Sequence, residues 1–214
     1  MSPVTRSSRT RRAATAGAAA ASVATVAATL AMTAAPASAS TKVHATYKVT
    51  GSTFLKGPNF SLPVGPGTLS SVLNPANGNL TADLTMPDAT GSFKQDGLIP
   101  VTATTRFIND GKTTGKLNLN TGGVATTSKI TLQITKLIVS GLPVPVGHFC
   151  ETTEPVVLQL KSQKGFNVLK GGKVAGVYTI GKFHHCGLAT LLINATIPAS
   201  GNTISLTLGK AKIG

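Results

Sequence analysis

The sequence predicts an all-β fold: an antiparallel β-sandwich, or a flattened barrel, with one short C-terminal helix. Three observations carry this reading. Past residue 40, apolar and polar residues alternate at period two in run after run. Clusters of Gly, Pro, Asn and Asp punctuate those runs at the spacing of short antiparallel strands. Charged residues make up only 12% of the chain, about half the usual share. Long exposed helices therefore lack the charged face they need, and Thr, Ser, Asn and Gly supply an uncharged polar surface instead.

The first forty residues stand apart. Arg6, Arg9, Arg11 and Arg12 come first with no acid among them. An uncharged, Ala-rich stretch follows over 13–35, and Ala35-Pro36-Ala37-Ser38-Ala39-Ser40 ends it. A basic start, an apolar middle and a small-residue exit describe a secretory signal peptide over 1–39, cleaved after Ala39, with Ala37 as the second choice. The competing reading is a retained membrane anchor. Ala and Thr partition too weakly into hydrocarbon to favour it, so no transmembrane segment is expected in the mature chain. Arg11-Arg12 points weakly to twin-Arg export, since the usual bulky residues after the pair are missing. The mature protein is then a single secreted β domain over 40–214, extracellular or associated with the cell wall.

Within it, Val43, Ala45, Tyr47 and Val49 begin the first alternating strand. Leu80, Ala82, Leu84 and Met86 form the next, followed by Val101, Ala103, Thr105 and Phe107, and by Ile130, Leu132 and Ile134. Val156, Leu158 and Leu160, then Val174, Val177 and Ile180, then Ile204, Leu206 and Leu208 complete the set. Asn77-Gly78 and Asp110-Gly111 supply the positive φ angles of tight hairpins, and Gly171-Gly172 reads as another hairpin turn. Leu62-Pro63-Val64-Gly65-Pro66-Gly67 and Leu142-Pro143-Val144-Pro145-Val146-Gly147 read as edges or crossings, because proline lacks the ladder donor. Leu188, Leu191, Leu192 and Ala195 are spaced i, i+3, i+4, i+7 and predict a helix over 188–195 that caps one end of the β structure.

Cys150 and Cys186 are the only cysteines. In an exported protein an even count reads as a disulfide, here closing a loop of about 37 residues and worth about 4 kcal/mol by chain entropy. The sharper alternative is a metal site. His148 lies two residues from Cys150, and His184 and His185 precede Cys186, so the N/S ligands gather in two clusters. Their spacing matches no finger pattern, and a disulfide with bystander imidazoles (His148, His184, His185) accounts for the same residues more simply. No metal and no cofactor is expected.

Six carboxylates are a small pool for catalysis. Glu151 and Glu154 form the one close pair and read as a solvated loop beside the disulfide rather than a glycosidase pair. No Gly-x-Ser-x-Gly elbow, phosphate loop or dinucleotide fingerprint is present. The formal charge is +14. Without the four leader arginines, 16 basic and 6 acidic residues leave +10. Nucleic acid is not the expected partner, because Arg106 is the one arginine past the leader and aromatics are 4%. The same scarcity argues against an outer-membrane barrel with aromatic girdles and against a sugar-stacking module.

Several segments carry a resemblance: Thr85-Met86-Pro87-Asp88-Ala89-Thr90-Gly91-Ser92-Phe93-Lys94, Gly97-Leu98-Ile99-Pro100-Val101-Thr102-Ala103-Thr104, Phe183-His184-His185-Cys186-Gly187 and Gly201-Asn202-Thr203. Together they resemble a group of uncharacterised secreted actinobacterial β-rich proteins with one Cys pair, over roughly 43–208. The resemblance implies secretion, the β domain and the disulfide, and it transfers no catalytic or binding residue. The expected function is a non-enzymatic binding or structural module at or outside the cell envelope, with anionic envelope polymers as partners. The first alternative is a carrier of an apolar, lipid-like molecule held between the sheets. The second is a secreted hydrolase, which requires Glu151, Glu154 or Asp88 to meet a histidine in a cleft.

Overall fold

Alternation does produce strands, and they close on themselves. The computed structural model describes residues 41–214; the expected signal peptide over 1–39 lies outside them. In chain order the strands are β1 (Val43–Leu55), β2 (Phe60–Leu73), β3 (Asn79–Thr85), β4 (Ala89–Gln95), β5 (Ile99–Asn109), β6 (Thr113–Leu117) and β7 (Val124–Val139). Then come β8 (Leu142–Val144), β9 (Glu151–Thr152), β10 (Val156–Ser162), β11 (Gly172–Ile180) and β12 (Phe183–His184). A 3-10 turn (Gly187–Ala189) leads into helix α1 (Thr190–Thr196), and β13 (Ala199–Leu208) and β14 (Lys212–Ile213) finish the chain.

All ladders are antiparallel, as expected, but the architecture is a closed barrel rather than a sandwich. The path β10-β11-β13-β1-β2-β3-β6-β7 returns to its start because β7 also pairs with β10, Ile130 opposite Val156 and Ala125 opposite Lys161. Eight strands thus form the wall. The physical reason lies in β7. At 16 residues it outruns any single partner, so its first half is laced between β6 and β10 and its second half between β5 and the short strands β8 and β9.

Two expected turns resolve differently. Asn77-Gly78 reverses the chain between β2 and β3, with Gly78 at φ 73°. Asp110-Gly111 does not make a hairpin. Asn109 pairs with Ile130 and Thr114 with Thr127, so β5 and β6 run in line along the same side of β7, with a kink at 110–112. The proline-bearing run 62–67 lies inside β2, where β1 is its only ladder neighbour. Missing proline donors are harmless there, because β3 joins only from Thr68 onward. Leu142–Val144 is an edge strand on β7, as expected.

Beyond Thr68 toward the β1–β2 turn, the barrel has a seam. No ladder joins β2 to β4; side chains fill the gap. The Phe60 and Phe93 rings sit 6.1 Å apart, and Phe60 and Leu62 occupy the space over Gly91, where a Cβ would lie 2.6 Å from the Phe60 ring.

One end of the barrel, the helix end, carries the β1–β2, β4–β5 and β7–β8 turns and is plugged by α1. The plugging face is not the expected one. Ala189 and Ile193 are buried, while Leu188 and Leu191 are 98% and 85% exposed. Seven residues of helix make only two turns, and the buried bridge at Cys186 fixes which side faces inward. The other end, here the far end, carries the β2–β3 and β6–β7 turns, the β10–β11 loop and the β13–β14 connection.

Among the polar side chains inside the wall are Tyr178 and Tyr47. Tyr178 donates its hydroxyl to Thr53 Oγ1, which in turn donates to the Thr203 carbonyl at 3.0 Å. Tyr47 donates to the Val168 carbonyl at 2.8 Å. Burial pushes both phenols above their ordinary pKa of 10.0, only partly opposed by side-chain hydrogen bonding of Tyr178 with Thr53 and of Tyr47 with Ser71. Below pH 10 the phenols are neutral in both folded and unfolded chains. Above it the unfolded chain ionises first, so stability falls as pH rises through about 10 and beyond. Urea midpoints at pH 9 and pH 11 should differ in the wild type, and the difference should shrink in a Tyr47→Phe/Tyr178→Phe variant.

Candidate functional site: the barrel lumen

The disulfide forms. Cys150 and Cys186 lie with Cα atoms 4.3 Å apart and both are fully buried. It ties the loop after Gly147 to the start of the helical segment, as read from the sequence. Two backbone details hold the tie in place. His185 takes a left-handed conformation, φ 55°, turning Cys186 inward. Gly147 passes so close to it that a Cβ there would lie 2.1 Å from the His185 carbonyl. Close approach, rather than turn geometry, explains this glycine.

The histidines do not assemble into a ligand set. His184 and His185 stack with ring centroids 4.2 Å apart, and His184 Nε2 lies 3.8 Å from Glu151 Oε1. The His148 backbone carbonyl accepts from Gln133 Nε2 at 2.9 Å. With both sulfurs in the disulfide, the Cys-His metal alternative loses its thiolates. Among the described residues no group of three His, Cys, Asp or Glu side chains is placed to hold a metal ion. Of the acids named for a hydrolase, Glu151 meets His184, whereas Asp88 is held by Arg106 through two 3.2 Å contacts. Neither Glu151 nor His184 lines the two lumen cavities described next, or the depression at the far end.

The lumen is incompletely filled. The inward residues form two apolar clusters. One, at the helix end, contains Val101, Ile130, Ile134, Leu158, Ile180 and Phe183; the other, toward the far end, contains Val49, Leu62, Val64, Val174, Leu206 and Leu208. A cavity of about 100 Å³ lies against the first and the seam, bounded by Phe60, Phe93, Ala103, Phe107, Tyr178 and Ile204 among others. A second, of about 120 Å³, lies toward the far end, bounded by Tyr47, Leu69, Ala82, Leu117, Phe166 and Val174. Leu84, Ser128, Leu160 and Leu206 border both. They form the partition between two chambers stacked along one axis.

Most polar atoms that reach the chambers are already engaged; Thr105 and Thr126 border them without a side-chain hydrogen bond. Ser128 Oγ bonds Thr113 Oγ1 at 2.7 Å, Ser71 Oγ donates to the Ala45 carbonyl at 3.0 Å, and Thr53 and both tyrosines are engaged as described. A guest carrying its own polar group would find few partners, and each group left unpaired would cost about 1–3 kcal/mol. The chambers are lined mainly by hydrocarbon.

The second chamber has a roof. Phe166, Val168 and Leu169 of the β10–β11 loop lie over it. Asn167 Oδ1 accepts from the amides of Leu169 and Lys170 at 2.8 and 3.0 Å, rounding the loop. The loop is fastened by Tyr47 to Val168 and by the Ala211 amide to the Leu169 carbonyl at 2.9 Å. Gly171, at φ 84°, closes it where a Cβ would lie 2.1 Å from the Leu208 carbonyl.

The sequence reading found the inward residues through their alternation but expected them to meet as two facing sheets. It missed Phe60, Phe93 and the roof, because β2 and β4 are interrupted by Gly and Pro and the roof is loop. Comparison with family models, with curated proteins and with solved structures finds no match to this chain. Among the described residues no helix is long and apolar enough to cross a membrane.

Proposed function

We propose that the protein is a non-enzymatic binding module of the cell envelope that carries a small apolar molecule in the lumen of its barrel. The supporting observation is the pair of stacked chambers lined mainly by hydrocarbon, most of whose polar neighbours are already hydrogen-bonded within the protein. Eight-stranded barrels have the diameter at which side chains fill the interior or one small ligand fits. Each chamber approaches the roughly 150 Å³ apolar void that accepts benzene. Rotation of Leu84, Leu160 and Leu206 would join the two into one narrow channel, suited to an unbranched chain or a pair of small rings. A buried disulfide suits such a carrier in an oxidising compartment.

Two measurements test this reading. Mild organic extraction of protein purified from its native host, read by mass spectrometry, should yield an apolar compound in stoichiometric amount. Titration with the neutral fluorophore N-phenyl-1-naphthylamine should show saturable binding. Ala103→Leu and Ala82→Leu, which place extra methyl groups in the first and second chambers, should together weaken it at least tenfold while the far-ultraviolet circular dichroism stays unchanged. Binding indifferent to both substitutions, or an extract free of apolar compounds together with no probe binding, rejects the reading.

A further inference from the structure

The two ends of the barrel differ in charge, and the far end combines that charge with exposed hydrocarbon. The strand ends and turns there carry Lys116, Lys161, Lys164, Lys170, Lys210 and Lys212, all exposed. The acids are elsewhere. Asp83 is paired with Lys112 at 3.2 Å and Asp88 with Arg106, both at the waist. Asp110 sits at the kink between β5 and β6, and Asp96, Glu151 and Glu154 lie toward the helix end. Among the described residues the far end has no carboxylate side chain.

Between these lysines stand apolar tips. Leu119 of the β6–β7 turn, Leu169 of the roof and Ile213 of β14 are each more than half exposed. Leu169 and Ile213 also border the second chamber, so the exposed tips are continuous with the lumen lining. Beside them an open depression of about 660 Å³ is bordered by Lys116, Asn118, Asn120, Thr121 and Lys161. It is cationic and free of acid, and Leu117, Leu119, Val124 and Ala125 give it an apolar floor.

We propose that the far end is a docking face for a lipid surface bearing anionic headgroups. The lysines and the depression face the headgroups, and Leu119, Leu169 and Ile213 enter the acyl boundary. Charge complementarity selects the surface, because clustered lysines attract anionic lipid within a Debye length. The apolar tips select lipid over a soluble polyanion, because durable attachment combines a cationic patch with inserted hydrocarbon. Docking there would bring the roof of the second chamber to the membrane, the source of an apolar guest. That last clause rests on the carrier reading; the docking itself does not.

The test is co-sedimentation of the 40–214 protein with large unilamellar vesicles, either pure phosphatidylcholine or phosphatidylcholine with one third phosphatidylglycerol. The expected result is binding to the anionic vesicles alone, falling steeply between 50 and 300 mM salt. It should weaken at least tenfold in Lys116→Gln/Lys161→Gln/Lys164→Gln and also in Leu119→Ser/Leu169→Ser/Ile213→Ser. Lys94→Gln/Lys136→Gln, near the helix end, should bind like wild type. Ala82→Leu/Ala103→Leu should also bind vesicles normally, which separates failure of docking from failure of the carrier reading. No binding to anionic vesicles overturns the proposal. So does binding that the serine variant retains and that soluble polyphosphate competes away, since the partner is then an anionic polymer.

Discussion

Replacing both cysteines, Cys150→Ala with Cys186→Ala, should destabilise the protein by about 4 kcal/mol. The bridge spans 36 residues of sequence, and opening a loop of that length restores about that much chain entropy to the unfolded state. The expected drop in melting temperature is roughly 8–16 °C for a domain of this size. The loss should be local before it is global. The bridge joins the 145–149 loop to the helical plug, and Ala189 and Ile193 pack in the same cluster as both sulfurs. Hydrogen exchange of the α1 amides should therefore accelerate under conditions where the β1 and β13 amides stay protected. Urea unfolding of the double variant beside wild type measures the first effect. A change below 1 kcal/mol would show that neighbouring packing already holds the plug without the bridge.

The second large effect is expected at Asn202, which is fully buried. Its Oδ1 accepts from the Lys56 amide at 2.9 Å, and its Nδ2 donates to the Ala199 carbonyl at 2.7 Å. One side chain thus fastens the start of the β1–β2 turn to the start of β13. Asn202→Ala leaves the part-buried Lys56 amide and Ala199 carbonyl without their partner, opens a small void where the buried side chain stood, and should cost about 2 kcal/mol. An intermediate Asn202→Asp variant keeps the acceptor for Lys56 but replaces the donor to Ala199 with an oxygen, so it should not restore stability at neutral pH. Equal stability of Asn202→Ala and wild type in urea would mean that water replaces both contacts.

Asn202 also shows what the sequence conceals. It stands in a Gly-Asn-Thr run just ahead of the alternation that begins at Ile204, and β13 already runs through it, with Asn202 opposite Tyr178. Nothing local marks a polar residue whose Oδ1 takes its hydrogen bond from an amide 146 positions away. The long alternating runs were legible for the opposite reason. Period two reports the local fact that one face is buried, and it located β1, β3, β5, β7, β10, β11 and β13. The cysteine bridge and the approximate position of the helix were legible too. Closure was not, because it depends on which strand β7 reaches at its second edge. The helix was placed within about two residues but turned the wrong way. Its i, i+3, i+4 leucine pattern is outvoted by Cys186, whose buried sulfur leaves Ala189 and Ile193 on the inner side. The chambers were out of reach for a related reason: volume depends on how the inward side chains of eight strands meet.

The stretch where β2 and β4 face each other without ladder bonds has mechanical meaning. A hoop laced by hydrogen bonds all the way round widens only if several of them lengthen at once, which makes it stiff. Here one arc is held by the grip of phenyl and isobutyl groups, and that grip slackens gradually as they slide. Any swelling of the first chamber to fit a bulkier guest will be taken up at this arc, while the rest of the hoop keeps its circumference.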